Sequence, residues 1–211
     1  MNNADEKGES CQERLESLSV DCIVSKLASA GSEVVTSEAN AGKRAAVLVP
    51  LLHIDGEWNI LFTRRSEWVN DHKGQVSFPG GAIEDDDPDE RSAAVREAGE
   101  EIGLPADCIQ ILGQLEVYRT ATGFMVYPVI ANIIWPFDIR LNPTEVSRVF
   151  TIPIRWLCQR ENFELRSWHS PFGWRENVIF YKPFDGEQLW GISARITVTL
   201  LQTMGLLLLD R

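Results

Sequence analysis

The chain has 211 residues, and its hydrophobic fraction of 44% is enough for one domain of ordinary size with a buried core. Its formal net charge of −11 argues against binding to a nucleic acid backbone, which requires clustered basic side chains. The four cysteines form no C-x-x-C pair, so the sequence signals neither a zinc site nor a disulfide framework and favours reduced thiols in the cytoplasm.

Residues 1–43 are predicted to form a polar, acid-rich extension, and the main domain is predicted to span 44–211. The N-terminus lacks the basic start and the apolar run of a secretion signal, which argues against export. Over residues 15–27 the apolar side chains recur at the spacing of an amphipathic helix. We expect this helix to dock on the domain or on a partner, and we assign it no chemistry.

The main domain begins with the pattern of a β-hairpin. Two apolar runs, 45–52 and 58–63, flank Asp55-Gly56, a dipeptide that suits a tight turn with positive φ. A further short strand is predicted over 75–78. It leads into Gly80-Gly81, where paired glycines permit a backbone conformation that other residues resist.

A helix is predicted over 90–102, because its residues favour helices throughout and Gly103 and Pro105 follow it. Further strands are predicted over 109–117, 124–134, 163–167 and 177–181, and further helices over 154–158 and 191–209. The last of these carries Arg195 and Gln202, which favours a buried terminal helix over a membrane anchor. This mixed order of strands and helices predicts an α/β sandwich.

Three glutamates, Glu97, Glu100 and Glu101, lie on one face of the predicted helix at separations of three and four residues. Their like charges repel, so a bound cation is expected to compensate them. Oxygen donors grouped in this way suit Mg²⁺ or Mn²⁺, ions that readily share substrate phosphates. Taken alone, such a cluster is more often a solvated helix face, and the surrounding motif decides between the two interpretations.

The segment 81–104, GAIEDDDPDERSAAVREAGEEIGL, closely resembles the Nudix box. Its most diagnostic part, Arg-Glu-apolar-x-Glu-Glu-x-Gly-apolar, is matched throughout, with Ala98 as a small apolar residue. The resemblance implies a Nudix-type α/β/α sandwich with a mixed sheet. It also implies a hydrolase that cleaves phosphoanhydride bonds with the help of a divalent metal ion.

Within this superfamily the chain resembles the branch of coenzyme A pyrophosphatases. Between Gly81 and Arg96 it carries one residue more than the commonest Nudix spacing, as that branch does. Acidic residues stand three and six places after the second glycine in the branch, and here these are Glu84 and Asp87.

The upstream residues look like the same branch, at matching separations. The matching stretches are Thr63-Arg64-Arg65-Ser66, His72-Lys73-Gly74-Gln75-Val76 and Phe78-Pro79-Gly80-Gly81. One position departs: Asn70 stands where the signature has arginine, which weakens the implied preference for coenzyme A. Including similarities further downstream, the resemblance covers most of residues 44–200.

By resemblance, Glu97 and Glu101 are metal ligands, and the Gly80 carbonyl is a backbone ligand. Glu100 is either a further ligand or the base that activates water. Two metal ions held at such a site would clamp both the attacking and the leaving oxygen.

Arg96 completes the predicted catalytic set. It is expected to pair with Asp87 or Glu84 and to fix the loop, which we favour over contact with substrate. Glu145 either supplies an outlying carboxylate to the metal ions, as a glutamate beyond the box does in several Nudix enzymes, or has a loop or capping role.

Substrate binding is assigned to four basic side chains near the loop, since arginine offers phosphate a bidentate fork. They are Arg64, Arg65, His72 and Lys73. Plain surface solvation stays open for each of them. Three aromatic residues that might otherwise stack on an adenine are left unassigned: Trp168, Trp174 and Tyr181.

The first functional hypothesis is hydrolysis of coenzyme A or acyl-coenzyme A to 3′,5′-ADP and (acyl-)4′-phosphopantetheine, with Mg²⁺ or Mn²⁺. The second, motivated by Asn70, is the same chemistry on ADP-ribose, NADH or a nucleoside triphosphate. The third is a binding module without catalysis, which should lack the glutamates that this chain retains. The expected partner is a small nucleotide-type molecule, with no nucleic acid and no membrane, and a homodimer is left open.

Overall fold

The structure is a computed structural model and describes residues 11–30, 42–69, 72–120, 123–169 and 175–207. Asn70 and Trp174 lie outside these ranges. The described residues form five α-helices, α1 (Cys11–Glu16), α2 (Val20–Ser29), α3 (Glu90–Ile102), α4 (Ile154–Leu157) and α5 (Gly191–Thr203). They also form ten strands, β1 (Lys43–Ile54), β2 (Glu57–Arg65), β3 (Val76–Ser77), β4 (Gly80–Ala82), β5 (Ile109–Gln114), β6 (Tyr118–Arg119), β7 (Phe124–Ile133), β8 (Val146–Pro153), β9 (Phe163–His169) and β10 (Arg175–Tyr181).

Strands β1 to β8 form one mixed sheet with β1 at its centre. β1 pairs in parallel with β7 and antiparallel with β2 and β4. β2 also pairs with β3 and β8, and β7 also pairs with β5 and β6. Strands β9 and β10 make a separate antiparallel hairpin. The predicted mixed sheet is therefore confirmed.

The predicted hairpin of β1 and β2 closes at Asp55-Gly56. Both residues have positive φ, 50° and 84°, and Ile54 pairs with Glu57 across the turn. Side chains then alternate between the two faces of the sheet, as the pleat requires. Leu48 and Leu52 pack on the face that α3 covers, whereas Val49 and Leu51 pack on the opposite face.

Helices cover both faces of the sheet, and each face has its own apolar core. On one face, α3 contributes Ala93, Ala94, Ala98 and Ile102, whose small or fully buried side chains let the helix lie close to the strands. On the opposite face, α2, α4 and α5 share a larger core with residues such as Ile130. The predicted α/β/α sandwich is confirmed.

The amphipathic segment 15–27 forms two helices rather than one. The first helix ends at Glu16 and the second begins at Val20. The Ser19 hydroxyl caps α2 by accepting a hydrogen bond from the Cys22 N–H at 3.2 Å. Ile23 and Leu27 of α2 are buried in the core beside β5. This helix therefore docks on the domain itself.

The structure also departs from prediction at other elements, of which three bear on the site or on the ends of the domain. β8 was not predicted, because Ser147 and Arg148 interrupt its apolar pattern. β4 is short and consists of the glycine pair and Ala82, which by composition read as a loop. The last helix ends at Thr203 rather than near residue 209, since Gly205 takes a left-handed conformation with φ of 70°.

No described helix combines the length and the apolar character needed to cross a membrane.

Candidate metal centre

Helix α3 has the limits that its end signals predict. The Asp89 carboxylate accepts a hydrogen bond from the Ser92 N–H at 2.8 Å and caps the N-terminus. Gly103 is left-handed, with φ of 69°, and ends the helix. Because the alanine face packs on the sheet, Glu97 and Glu101 lie at the edge of the helix beside β4 and the start of β8.

Three carboxylates meet at this edge. Oxygen atoms of Glu97, Glu101 and Glu145 all lie within 4.8 Å of one another. Glu101 is almost fully buried, at 2% exposure, while the other two are half-buried. Glu145 arrives from a different part of the chain, immediately before β8. A set of oxygen donors without sulfur or imidazole is what a hard divalent cation such as Mg²⁺ or Mn²⁺ binds.

The electrostatics of the cluster also suit a divalent cation. Burial raises the pKa of Glu101 to about 8, against the opposing effects of the Gly80 N–H and the Arg65 charge. Burial likewise raises the pKa of Glu97, although its hydrogen bond with Arg96 acts in the other direction. The negative charge of the neighbouring Glu145 raises the pKa of both glutamates further. A divalent cation would offset the cost of holding these buried carboxylates charged and close together, so the residues fit a metal site.

Because Gly80 and Gly81 have no side chains, the carboxylate cluster can lie close to them. A β-carbon at Gly80 would lie 2.3 Å from the Ala46 carbonyl oxygen, and one at Gly81 would lie 2.5 Å from the Glu97 carboxylate. The Gly80 N–H donates to Glu101 Oε2 at 3.2 Å. The role of the Gly80 carbonyl as a metal ligand stays a prediction.

We expect Gly81→Ala to weaken divalent-metal binding while the protein stays folded. The three atoms nearest to the new methyl group belong to the Glu97 carboxylate, the far end of a flexible side chain, so we expect the carboxylate to move out of the cluster while the backbone stays in place. Titration of Mn²⁺ should show at least tenfold weaker binding, on the scale of losing support for one ligand. Gly80→Ala is the comparison: its methyl group meets backbone atoms, and it should lower the melting temperature instead. Unchanged Mn²⁺ affinity in Gly81→Ala would contradict this expectation.

Arg96 holds the acidic loop against the helix. Its Nε and Nη2 donate to the two oxygens of Asp87 at 3.1 and 2.9 Å, and Nη2 also donates to the Ala82 carbonyl. Nη1 donates to Glu97 at 2.9 Å and to Glu100 at 3.1 Å. The hydrogen bonds from Arg96 are the main cause that lowers the pKa of Asp87. Every nitrogen of the guanidinium thus contacts protein groups that shape the site.

Glu100 and Glu145 differ from what their sequence positions suggest. Glu100 shares the helix face with Glu97, yet its side chain is 57% exposed and it stands outside the cluster of three, tied to it through Arg96. Glu145 stands inside the cluster and also accepts a hydrogen bond from Asn142. Sequence reasoning had left Glu145 open between a metal role and a loop role, and its position allows both.

The adjacent arginines at the end of β2 point to opposite faces. Arg65 lies near Glu101, whose pKa its positive charge lowers, and its buried Nε has no hydrogen-bond partner among the described residues. Nη1 of Arg64 lies 3.7 Å from Oε1 of Glu187, and its Nη2 lies 3.6 Å from Oε1 of Glu67. Of the two, Arg65 is therefore the one directed toward the carboxylates.

The other residues predicted or weighed for substrate binding lie on the surface, on β9 or within the core. His72 and Lys73 are exposed, and His72 Nδ1 lies 3.0 Å from Gln75 Oε1. Tyr181 is buried and donates its hydroxyl to the Leu157 carbonyl at 3.1 Å, so it belongs to the core. Trp168 lies on β9.

An open cleft of about 560 Å³ lies between the end of α3 and the segment 138–142. Its lining includes Glu100 on one side and Arg140 and Leu141 on the other. Asn142 also lines it and binds Glu145, so the cleft adjoins the carboxylate cluster.

The chain is similar to known proteins of one family. The family model described as NUDIX domain matches residues 42–173. The Nudix hydrolase NudL of Photorhabdus laumondii, itself uncharacterized, is 34% identical over 164 residues, covering 76% of this chain and 84% of that protein. The NudL of Yersinia pestis strain Pestoides F is 32% identical over 167 residues, covering 78% of this chain and 81% of that protein.

The chain also matches solved structures. An Ap4A hydrolase binary complex from C. elegans is 23% identical, with a TM-score of 0.45 over 54% of this chain and 81% of that one. A MutT/nudix family protein from Enterococcus faecalis is 13% identical, with a TM-score of 0.47 over 88% of this chain and 64% of that one. On the family match and the NudL relatives, the chain belongs to the Nudix hydrolase family, whose members cleave pyrophosphate bonds in nucleoside diphosphate derivatives and generally use divalent metal ions.

Proposed function

We propose that the protein hydrolyses the diphosphate bond of coenzyme A or acyl-coenzyme A. Water adds to one phosphorus, the bridging P–O bond breaks, and the products are 3′,5′-ADP and (acyl-)4′-phosphopantetheine. The observation that carries the chemistry is the cluster of Glu97, Glu101 and Glu145. The substrate class rests on the signature over 63–81 and on the extra residue before Arg96.

Mg²⁺ or Mn²⁺ is the proposed cofactor, with Glu97, Glu101, Glu145 and the Gly80 carbonyl as ligands. When bound, such an ion polarises a phosphoryl oxygen and offsets the charge that builds up on the leaving oxygen. Glu100 is the proposed base, because its exposed carboxylate can reach an attacking water and accept its proton. Arg96 holds Glu97 and Glu100 in their relative positions.

Binding of the substrate is assigned first to Arg65. Its guanidinium lies on the face of the carboxylates and can donate to phosphate oxygens, which would satisfy the buried Nε. Arg64 and Lys73 are proposed to contribute positive charge, and His72 a hydrogen bond, farther from the reacting phosphorus. The cleft beside Glu100 can receive part of the substrate, since its volume is within the range of ligand pockets.

Turnover of a substrate panel tests the proposal. Purified protein is incubated with coenzyme A, acetyl-coenzyme A, ADP-ribose, NADH and ATP, with either Mg²⁺ or Mn²⁺, and products are identified by mass spectrometry. We expect the kcat/KM for a coenzyme A compound to exceed the others by at least about tenfold, which is ~1.4 kcal/mol of discrimination. Clear preference for ADP-ribose, NADH or ATP would overturn the proposed substrate. A Glu101→Gln preparation controls for contaminating hydrolases.

A second candidate is the same reaction on another nucleoside diphosphate derivative, and Asn70 favours it. If the arginine of the signature helps to hold an anionic group of coenzyme A, its replacement weakens that preference. Asn70→Arg should then raise coenzyme A turnover relative to that of ADP-ribose. An unchanged ratio would show that this position has little influence on the choice of substrate.

The proposed compartment is the cytoplasm. Support comes from the sequence, in which the four cysteines are scattered and form no C-x-x-C pair.

A further inference from the structure

Glu145 reaches the carboxylate cluster from a tight turn that precedes β8. The Asn142 carbonyl accepts hydrogen bonds from the N–H groups of Glu145, at 3.0 Å, and Val146, at 2.8 Å. The Asn142 N–H donates to the Glu101 carbonyl at 2.9 Å, which docks the turn on the end of α3. On the other side, the Ser66 N–H donates to the Glu145 carbonyl at 2.8 Å. The backbone around Glu145 is therefore fixed to two elements of the site.

The Asn142 side chain divides its contacts between the turn and Glu145. Its Oδ1 accepts from the N–H of Thr144 at 3.2 Å and from the Thr144 hydroxyl at 2.6 Å. An oxygen engaged by two donors fixes the orientation of the amide. Its Nδ2 therefore faces Glu145 and donates to Oε1 at 3.1 Å.

We propose that Asn142 is a positioning residue that holds the Glu145 carboxylate in the metal cluster. The hydrogen bond to Oε1 fixes the carboxylate plane and leaves Oε2 free to bind the ion. Hydrogen bonds from neighbouring groups commonly orient metal ligands in this way. This inference rests on the proposed metal-dependent function. It assigns a role in the site to a residue whose Asn-Pro sequence signals only a turn.

The alternative is that Asn142 only caps the turn. The two roles predict different effects of substitutions at Asn142 and Thr144 on metal binding. Asn142→Ser keeps a hydroxyl that can accept from the Thr144 N–H, but it is too short to reach Glu145. Thr144→Ala is the matched control, because it removes the hydrogen bond from the Thr144 hydroxyl to Asn142 Oδ1 and leaves the bonds of Asn142 to the Thr144 N–H and to Glu145. If Asn142 only caps the turn, both variants should act alike.

The experiment titrates Mn²⁺ into the full chain without substrate and measures the dissociation constant and the melting temperature. Asn142→Ser should weaken Mn²⁺ binding about tenfold to a hundredfold, as expected for a group that orients a ligand. Thr144→Ala should change the affinity by less than about threefold. Equal effects of the two variants, or no effect of Asn142→Ser, would overturn the inference.

A second measurement covers the case in which Asn142→Ser disturbs the fold. In a Glu145→Ala background there is no carboxylate to orient, so adding Asn142→Ser should change the Mn²⁺ affinity no further. A general loss of structure would instead lower the affinity again in that background, and this result would contradict the inference. Absence of Mn²⁺ binding by the unmodified chain would overturn the proposed metal function as well. Failure of coenzyme A turnover alone would leave the binding result intact.

Discussion

Replacing Glu101 with glutamine should lower turnover by a factor on the order of 10³ at saturating Mg²⁺, because it removes the charge of the most buried member of the cluster. The amide has the same shape, and its oxygen can still accept the hydrogen bond from the Gly80 N–H. The neutral side chain also avoids the cost of a buried carboxylate. The melting temperature of the metal-free protein should therefore stay the same or rise.

Steady-state turnover and thermal unfolding without metal test both parts of this expectation. Glu90→Gln is a suitable control, since Glu90 lies on the same helix but pairs with Arg44 at 2.5 Å, outside the cluster. It should leave turnover within about threefold of the unmodified protein. A Glu101→Gln variant that retains full activity would exclude the proposed metal centre.

The second large effect concerns pH. Because the pKa of Glu101 is raised from 4.5 to about 8, the metal-free folded protein holds a proton at neutral pH that an incoming divalent ion must displace. Metal affinity should rise with pH and level off near 8. The gain should approach tenfold per pH unit where one proton is released per ion.

The raised pKa of Glu101 also determines the direction in which stability changes with pH. Between pH 4.5 and 8 the folded chain binds more protons at Glu101 than the unfolded chain does. The stabilisation from this neutral carboxyl is complete below the ordinary pKa and is lost as pH rises through the folded value. The metal-free protein should melt at lower temperature at pH 8 than at pH 6, and saturating Mn²⁺ should reduce the difference.

Calorimetric titration of Mn²⁺ in buffers with different ionisation enthalpies counts the protons released. We expect close to one at pH 6.5 for the unmodified protein and fewer for Glu101→Gln. Mn²⁺ affinity that is independent of pH between 6 and 8 would contradict the raised pKa.

The local part of the site could be predicted from the sequence. The limits of α3 follow from Asp89 and Gly103, whose capping chemistry depends only on residues within a few positions. The spacing of Glu97 and Glu101 follows from the helical repeat. Membership of Glu145 in the cluster could not be derived, because it depends on the pairing of β8 with β2, a contact between distant parts of the chain.

The two arginines show a different limit of sequence reasoning. Arg64 and Arg65 are adjacent and chemically identical, and their positions in the sequence do not distinguish their roles. In β2 their side chains point to opposite faces, so one meets Glu187 and the other lies near Glu101. The irregular pairing of β2 with β8 between these two residues could not be anticipated either, since a bulge has no signature here.

The docking of α2 joins the two ends of the described chain. Lys26 of α2 donates to the Met204 carbonyl just after α5, and both helices fill the same core on one face of the sheet. The region that carries the family likeness, 42–173, contains neither helix. A fragment cut to that region would keep every proposed metal ligand, yet would lose two helices that share the apolar core on one face of the sheet. We expect such a fragment to be less soluble than the longer chain because apolar surface would be exposed, although neither helix contributes a residue to the carboxylate cluster.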